Sequence, residues 1–316
     1  MIWLIPLLHG LGHLTFPIGK ALVAYADPIF TVGVRMFLAG FFLLGGLLLK
    51  GFKSIKISLK EAISIFILSL FSIYFNNLCE YLSLGYLTTA KTCFFYSMSP
   101  CVSVLLSCLL SYIFLKEKMT MNKWVGVMVA MAGFLPILMN QNSPQAPFKI
   151  DVLFSWPSIA AIAGSFCGVY GWILMRLLLK DQKMCLVKIN GYSMLFGGLL
   201  ALITSFFIEQ SPIDQWVNLD TKPFFGWMIL IILVSNIICS NLYAYLLRKF
   251  SETLISFFDL LSPLYASLYA YLFHSEPFHP FILLSTVFVS IGLIIVYHIE
   301  VKQGYVLTLK TSQATA

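Results

Sequence analysis

Charged side chains are scarce in this sequence. Asp, Glu, Lys and Arg make up 10% of its 316 residues, whereas apolar residues make up 59%. Soluble domains average about 25% charged residues, so a water-soluble core cannot hide this much apolar surface. The low charge content therefore excludes an ordinary soluble domain and indicates a lipid bilayer as the main surroundings. The net charge of +7 is interpreted as short basic loops that set membrane topology, and nucleic-acid binding is not expected.

The sequence also lacks the patterns that carry catalysis, phosphate binding or metal binding. It contains no Walker motif, no CxxC pair among its seven cysteines, and no His–Cys spacing that suits a metal. No cofactor is expected. Neither a nucleophile–base set nor a soluble signalling domain is recognisable, which disfavours a membrane enzyme or sensor. The odd number of cysteines excludes complete intrachain pairing, and we interpret the thiols as small buried hydrophobes.

Long apolar runs, in contrast, are abundant. About 20 predominantly apolar residues are needed to cross a bilayer as a helix, and ten runs approach or exceed that length. The expected fold is an all-α membrane protein with ten transmembrane helices. We number the predicted segments spans 1 to 10, at 2–22, 28–49, 61–82, 88–114, 121–139, 156–178, 188–208, 224–247, 253–273 and 279–299.

Basic residues alternate between the loops. The loops after spans 2, 4, 6 and 8 and the C-terminal tail hold most of them, beginning with the lysines between Lys50 and Lys60. Cytoplasmic loops carry the excess of Lys and Arg. We therefore expect these loops and both termini to be cytoplasmic, which agrees with ten spans and not with nine or eleven.

Two stretches of the chain repeat three features in the same order. The motif NLxxYL begins at Asn77 and again at Asn241, and FFxxxSP begins at Phe94 and again at Phe257. After each SP motif, a Glu is followed 16 residues later by a Gly. One such match would be weak evidence in a Leu- and Phe-rich chain, but three matches in the same order are hard to reach by coincidence.

The repeat divides the chain into two halves of five spans. The most polar segment, NQNSPQAP, lies near the middle. We predict a first repeat at 1–140, a linker at 141–155, a second repeat at 156–300 and a cytoplasmic tail at 301–316. Because five is odd, the halves have opposite orientations in the membrane. Inverted repeats are typical of secondary transporters whose substrate site lies between the halves.

The motifs resemble those of a known family. Pro17-Ile18-Gly19-Lys20, Asp27-Pro28, Arg35 with Ala39-Gly40, and the SP motif with a following Glu in each half are similar to the EamA-type ten-span carriers of the drug/metabolite transporter superfamily. The resemblance covers roughly residues 5–299. It implies alternating access in a bacterial inner membrane, with a small-molecule substrate and an undetermined oligomeric state.

Within the superfamily, the chain looks like the branch found in obligate intracellular bacteria. Those carriers import S-adenosylmethionine (SAM), in some cases in exchange for S-adenosylhomocysteine (SAH). Export of amino acids or drugs is the alternative that the wider family implies. One departure is visible: Pro263 and Glu276 have the usual family spacing, but Pro100 and Glu117 are four residues further apart. Equal depth of the two glutamates is therefore in doubt.

Two prolines are candidate helix kinks. Pro100 and Pro263 lie inside spans 4 and 9, where each proline leaves the carbonyl four residues earlier without its helical partner. Those carbonyls belong to Tyr96 and Asp259, which we predict to lie at equivalent positions beside the substrate. The alternative is a kink that serves helix packing only. Asp259 is the sharpest candidate because a carboxylate inside a span usually faces water or a partner.

Other ionisable residues suit the two ends of a zwitterion. Glu80 and Lys91 lie near the outer ends of spans 3 and 4, where they pair with each other or hold the substrate. Arg35 in span 2 is a candidate for a substrate carboxylate. Arg176 near the end of span 6 is another, or it only sets topology. Proton coupling through Asp259 or Glu80 stays open.

Amides and aromatic rings complete the predicted site. Asn77 and Asn241 either bond a polar ligand or bond between helices. Aromatic side chains are expected to form walls for a flat purine or an apolar group, although most of the 28 Phe must face lipid or the core. The expected function is carriage of a small zwitterionic metabolite, and the mid-membrane prolines favour a carrier over a channel. The aromatic candidates are Phe95, Phe258, Tyr265 and Tyr269, with Tyr170 and Trp172.

Overall fold

The computed structural model describes residues 3–87, 121–132, 155–181, 184–209, 221–250 and 252–261, with isolated positions elsewhere. The isolated positions in span 4 are 92, 95–96, 102 and 106. Those in spans 9 and 10 are 264–265, 268–269, 284, 287–288, 290–292, 294–295 and 298–299, followed by 302. Every regular element in this part of the chain is helical. The prediction of an all-α membrane protein is confirmed, while most of span 4 and parts of spans 5, 9 and 10 lie outside the described residues.

In the part of the chain that the structure describes, five helices are long and apolar enough to cross a membrane. They run over Pro28–Leu48, Leu59–Tyr86, Trp156–Leu179, Leu186–Ile208 and Lys222–Leu247. These helices coincide with predicted spans 2, 3, 6, 7 and 8 to within a few residues. Shorter described helices cover Met121–Ala132 in span 5 and Glu252–Phe257 in span 9, where the 3₁₀ turn Phe258–Leu261 follows.

Span 1 differs in detail from its prediction as one continuous helix. It consists of two helices, Leu4–His13 and Thr15–Leu22, which meet at Leu14. Pro17 explains the interruption, since it has no N–H to donate to the carbonyl of His13. The join leaves side chains of both helices facing the centre of the protein.

Local sequence signals account for the ends of spans 2 and 3. Pro28 is the first residue of span 2, where its missing N–H costs nothing. Gly51 follows this helix with φ of +112°, a conformation that glycine adopts most easily. Ser58 then opens span 3 with a capping box, because its hydroxyl accepts from the Glu61 N–H and the Glu61 carboxylate accepts from the Ser58 N–H.

Spans 3 and 8 each contain a π-helical segment directly before the NLxxYL motif. In span 3 the helix is α over Leu59–Ser69, π over Leu70–Phe75 and α over Asn76–Tyr86. In span 8 the corresponding segments are Thr221–Ile231, Ile232–Cys239 and Ser240–Leu247. A π segment rotates the helix face that follows it, and such segments are frequent at functional sites.

Spans 2 and 7 pack against each other as an antiparallel pair with glycines at the contact. A Cβ at Gly40 would lie 2.6 Å from the backbone nitrogen of Leu195, and one at Gly198 would overlap the backbone nitrogen of Phe37. Gly33 approaches Leu202 in the same way that Gly191 approaches Leu44. Small residues allow close helix approach in membranes, so this pair forms a tight central layer.

Candidate functional site

A cavity of about 210 Å³ lies between spans 1, 3, 6 and 8 and the described parts of spans 4 and 9. Its walls combine apolar and aromatic groups with a few polar side chains, the usual make-up of a small-molecule site. The lining residues are Leu8, His9, Gly12, His13, Thr15, Phe16, Asn76, Tyr96, Ser165, Gly168, Val169, Trp172, Ser235, Cys239, Ser240, Tyr243 and Asp259.

Spans 1 and 6 present matching faces to this cavity. Each contributes four side-chain positions at the spacing i, i+3, i+4, i+7, which is one stripe of an α-helix. The stripe of span 1 carries two imidazoles, whereas that of span 6 carries a hydroxyl and an indole. The two sets are His9, Gly12, His13 and Phe16, and Ser165, Gly168, Val169 and Trp172.

The most polar part of the wall is an acid–base pair. The Nδ1 atom of His9 lies 2.5 Å from Oδ1 of Asp259, and the side chains are 5% and 24% exposed. Phe258 stacks on the His9 ring with a centroid distance of 6.4 Å. Because span 1 carries His9 and span 9 carries Asp259, the pair joins the two predicted repeats at the cavity.

The same part of the wall contains three potential metal ligands. His9, His13 and Asp259 each offer one ligand atom within 4.8 Å of the others. Ligand atoms of a tetrahedral site with bonds of about 2.0–2.1 Å lie roughly 3.3 Å apart, so the 2.5 Å separation of the His9 and Asp259 atoms is too short for two ligands of one ion. The geometry is that of a directly hydrogen-bonded pair.

Three aromatic side chains and Asn76 form another part of the wall. The Trp172 and Tyr243 rings stack with centroids 4.0 Å apart and planes inclined by 15°. The Tyr96 hydroxyl donates to the backbone oxygen of Asn76 at 3.0 Å. Tyr96 and Asp259 both line the cavity, and their contact with a substrate stays a prediction.

Arg35 lies behind the wall and does not line the cavity. Its guanidinium donates to Asn236 Oδ1 at 2.9 Å, to the Tyr81 hydroxyl at 2.8 Å and to Ser235 Oγ at 3.1 Å. The side chain is 3% exposed. In this state Arg35 ties spans 2, 3 and 8 together, and its predicted contact with substrate stays a prediction.

The two repeat asparagines bond mainly within the protein. The amide nitrogen of Asn77 donates to the Ile73 oxygen at 2.8 Å, and that of Asn241 donates to the Ile237 oxygen at 2.8 Å. Asn190 also donates to Asn241 at 3.0 Å. Neither asparagine lines the cavity, and their matching geometry supports the two π-helical segments.

The remaining predicted site residues are distributed around the cavity. Glu80 is buried, and Phe95 is fully buried in a cluster with Leu87 and Ala161. Tyr265 and Tyr269 donate their hydroxyls to backbone oxygens of span 1, at Pro6 and Gly10. The predicted residues that lie outside the described part of the chain are Lys91, Pro100, Glu117, Pro263 and Glu276.

Sequence reasoning missed His9 and Tyr243 as site residues. His9 precedes His13 by four residues, so one face of span 1 carries both imidazoles, and this spacing was a usable signal. Tyr243 lies inside the NLxxYL motif, two residues after Asn241. Its orientation toward the cavity follows from the π segment before it, which periodicity based on an α-helix does not anticipate.

Comparison with known proteins agrees with the motifs. The EamA-like transporter family matches residues 11–139 and 155–298. A protein of Chlamydia trachomatis serovar L2 named S-adenosylmethionine/S-adenosylhomocysteine transporter is 33% identical over 296 residues, covering 93% of this chain and 88% of that protein. Its namesake in Chlamydia muridarum is 32% identical over 301 residues, covering 93% and 90%.

A more distant relative and a solved structure extend the comparison. The uncharacterized transporter YyaM of Bacillus subtilis is 24% identical over 218 residues, covering 67% of this chain and 68% of that protein. A crystal structure superposes with a TM-score of 0.71 at 12% identity, over 93% of this chain and 95% of that chain. At this identity the superposition supports the fold alone.

Proposed function

Since the chain belongs to the EamA-like transporter family, we propose that it is a secondary carrier that takes up S-adenosylmethionine, in exchange for S-adenosylhomocysteine, through the central cavity. The observation that carries the proposal is the 33% identity, over 93% of the chain, to transporters named for these two compounds. The cavity supplies independent chemical support.

The cavity wall offers one surface for each part of such a substrate. The Asp259 carboxylate suits a cationic group, because a charge at membrane depth is stabilised by an opposite charge. The Trp172 and Tyr243 rings, which stack on each other and line the cavity, suit contact with an adenine ring. Stacking of a base on an aromatic side chain contributes about 1–3 kcal/mol in single-strand binders. Asn76, Ser165 and Ser240 add polar groups for a ribose or an amino acid end.

We propose that the carrier is built as an inverted repeat of five plus five spans. Three observations support this arrangement. The glycines of spans 2 and 7 contact each other reciprocally, π segments occur at matching places in spans 3 and 8, and the family matches the two halves separately. A pseudo-two-fold axis between the halves would then pass close to the cavity, as in other carriers with inverted repeats.

Exchange by alternating access also suits the size of the cavity. Its 210 Å³ is below the roughly 300–1,000 Å³ of sites for drug-sized ligands. A SAM-sized molecule therefore requires the halves to separate on one side before it binds. Both halves contribute residues to the site, so neither half can complete it alone. A bound substrate, SAM or SAH, would therefore favour the change between the outward-open and inward-open states. Uptake of one substrate would in this way be linked to release of the other.

Uptake into proteoliposomes tests the function directly. Vesicles holding the purified protein and SAH inside should accumulate labelled SAM from outside, whereas empty vesicles should not. A panel of amino acids should compete weakly or not at all. Saturable uptake of an amino acid without uptake of SAM would contradict the proposal and favour the exporter alternative.

Substitution of two tryptophans tests whether the substrate binds in the cavity. Trp172→Ala should weaken SAM binding about five- to 150-fold, because about 1–3 kcal/mol of stacking is lost. Trp227→Ala is the matched control, since Trp227 lies outside the cavity and is 38% exposed. Equal effects of the two substitutions on binding would remove the aromatic pair from the site.

A further inference from the structure

The His9–Asp259 pair lies in the cavity wall, where charged groups of the protein would contact charged groups of the substrate. Both side chains line the cavity, and their 2.5 Å contact crosses between span 1 of the first half and span 9 of the second. An isolated carboxylate at membrane depth is costly, and pairing with a cation removes most of that cost. Asp259 therefore requires a positive partner in every state in which the cavity is closed to water.

His9 can supply that partner without breaking its existing bond. Its Nδ1 atom is engaged by Asp259, while its Nε2 atom is buried and has no hydrogen-bond partner among the residues that the structure describes. A neutral imidazole that donates from Nδ1 has an acceptor lone pair on Nε2. This atom can take up a proton and convert the pair from carboxylate–imidazole to carboxylate–imidazolium.

Few other ionisable groups surround His9. Lys20 lies on the second helix of span 1. Its ammonium donates to the backbone oxygens of Leu84 and Leu87 at the end of span 3, so it is bonded to span 3 and not to the His9–Asp259 pair. No arginine or lysine is among the residues that line the described cavity wall. The ionisable side chains that contact His9 are His13, Tyr243 and Asp259. Of the neighbouring ionisable groups, Cys239 lines the same cavity and Tyr265 lies beside the His13 ring.

The two proposed substrates differ by one positive charge. SAM carries a sulfonium, an ammonium and a carboxylate, and hence one net positive charge. SAH lacks the sulfur-bound methyl group, so its sulfur is a neutral thioether and the molecule has no net charge. A site that holds both molecules must itself supply one additional cation when SAH is bound, because the membrane interior penalises the carboxylate charge that would otherwise be uncompensated.

We propose that His9 is this additional cation, so that the carrier exchanges SAM for SAH together with a proton; this inference rests on the proposed function. When SAH binds from the cytoplasm, His9 is protonated and balances Asp259. When SAM binds on the other side, its sulfonium takes the place of the imidazolium beside Asp259, and the proton leaves. One cycle moves one positive charge in with SAM and one out as the proton, so the exchange is electrically neutral.

Proton movement in proteoliposomes tests the coupling. With SAH inside, SAM outside and a pH-sensitive dye in the lumen, the lumen should become more alkaline as SAM enters. Exchange of SAM for SAM uses no proton and should leave luminal pH unchanged, which provides an internal control. An applied potential, negative inside, should leave the SAM–SAH exchange rate unchanged, since no net charge crosses.

Substitution of His9 should abolish proton movement while the exchange of SAM for SAH continues. With His9→Gln, luminal alkalinisation should disappear and a negative-inside potential should accelerate SAM uptake severalfold, because each cycle then moves a net charge. His298→Gln is the control, since His298 lies in span 10 and outside the cavity; this variant should keep the proton movement and the insensitivity to potential.

A measurement on the unmodified protein guards against a misfolded variant. Calorimetry in two buffers with different ionisation enthalpies gives the protons taken up or released when each substrate binds, and the SAH complex should hold about one proton more than the SAM complex. SAM–SAH exchange that moves no proton and responds to the potential would overturn the inference while leaving the proposed function intact. Absence of SAM uptake under all conditions would overturn both.

Discussion

Arg35 shows how a buried cation can be structural in a membrane protein. Its three donors meet an amide, a phenol and a hydroxyl on two neighbouring spans, and its guanidinium also lies over the Tyr81 ring at 5.4 Å. A planar, forked side chain fits this arrangement, whereas a compact ammonium does not. Ser235 lines the cavity, so Arg35 fixes a part of the wall from behind.

Arg35→Lys should therefore destabilise the protein although the charge is kept. Hydrogen bonds to a charged group contribute about 1.5–3 kcal/mol each, and lysine can retain only part of the network, so we expect a loss of about 2–4 kcal/mol. Thermal unfolding in detergent measures the change. Arg248→Lys is the control, because the guanidinium of Arg248 donates to the backbone oxygen of Met184, a bond that a lysine can also make. Equal melting temperatures for both variants would contradict the structural role.

At the scale of one helix, the start of span 2 depends on a residue of span 7. The Glu209 carboxylate accepts from the backbone N–H of Ile29 at 2.7 Å and of Phe30 at 2.8 Å. These are N–H groups of the first turn, which have no partner inside the helix. A negative charge at a helix N-terminus also interacts favourably with the helix dipole. The cap thus links the two predicted repeats at the ends of their tightly packed helices.

Removal of this cap should lower stability by a moderate amount. For Glu209→Ala we expect a loss of about 1–2 kcal/mol, the range for helix caps. Glu209→Gln keeps one acceptor oxygen, so its free energy of unfolding should lie between that of the alanine variant and that of the native protein. Chemical unfolding in mixed detergent distinguishes the three proteins. If the alanine variant unfolds like the native protein, the cap contributes nothing to stability.

The glycine contacts between spans 2 and 7 allow a second test at the scale of helices. A methyl group at position 198 meets the backbone of span 2, and one at position 40 meets the backbone of span 7. Backbone cannot move aside as a flexible side chain can, so Gly198→Ala and Gly40→Ala should each cost about 1–3 kcal/mol through overpacking.

The control for this test lies on the same helix. A Cβ at Gly46 meets nothing within 4 Å, so Gly46→Ala should be neutral or slightly stabilising because alanine favours the helix. Melting temperatures of the three variants report the difference. Similar costs at positions 40 and 198 are expected from their reciprocal contacts. A neutral result at both positions would show that the two helices are less tightly packed than described.

At the scale of the whole molecule, the family and the transporter class predicted from motifs are confirmed. The orientation in the membrane stays a prediction from the distribution of basic residues. A reporter that is active only in the cytoplasm should be active when fused after Lys60, after Lys183 or at the C-terminus, and inactive when fused near Pro144. Activity of the Pro144 fusion would contradict the proposed topology.

Part of the site could be predicted because repeated motifs place equivalent residues in equivalent environments. Tyr96 and Asp259 follow the same FFxxxSP pattern, and both line the cavity. The same logic selected Asn77 and Asn241, whose amide nitrogens donate to carbonyls of their own helices. Sequence equivalence predicts a shared environment, but it does not say whether that environment contains substrate.

The sequence alone determined the membrane surroundings, the helical class and the recurrence of the NLxxYL and FFxxxSP motifs. Scarce charge and long apolar runs leave only a bilayer as the surroundings, and helices satisfy backbone hydrogen bonds there. Only the tertiary structure decided which polar side chains meet. His9 and Asp259 are separated by 249 intervening residues and come within 2.5 Å through the packing of spans 1 and 9. Helical periodicity defines the faces of each span, whereas the neighbouring spans and the π segments determine which face turns toward the cavity.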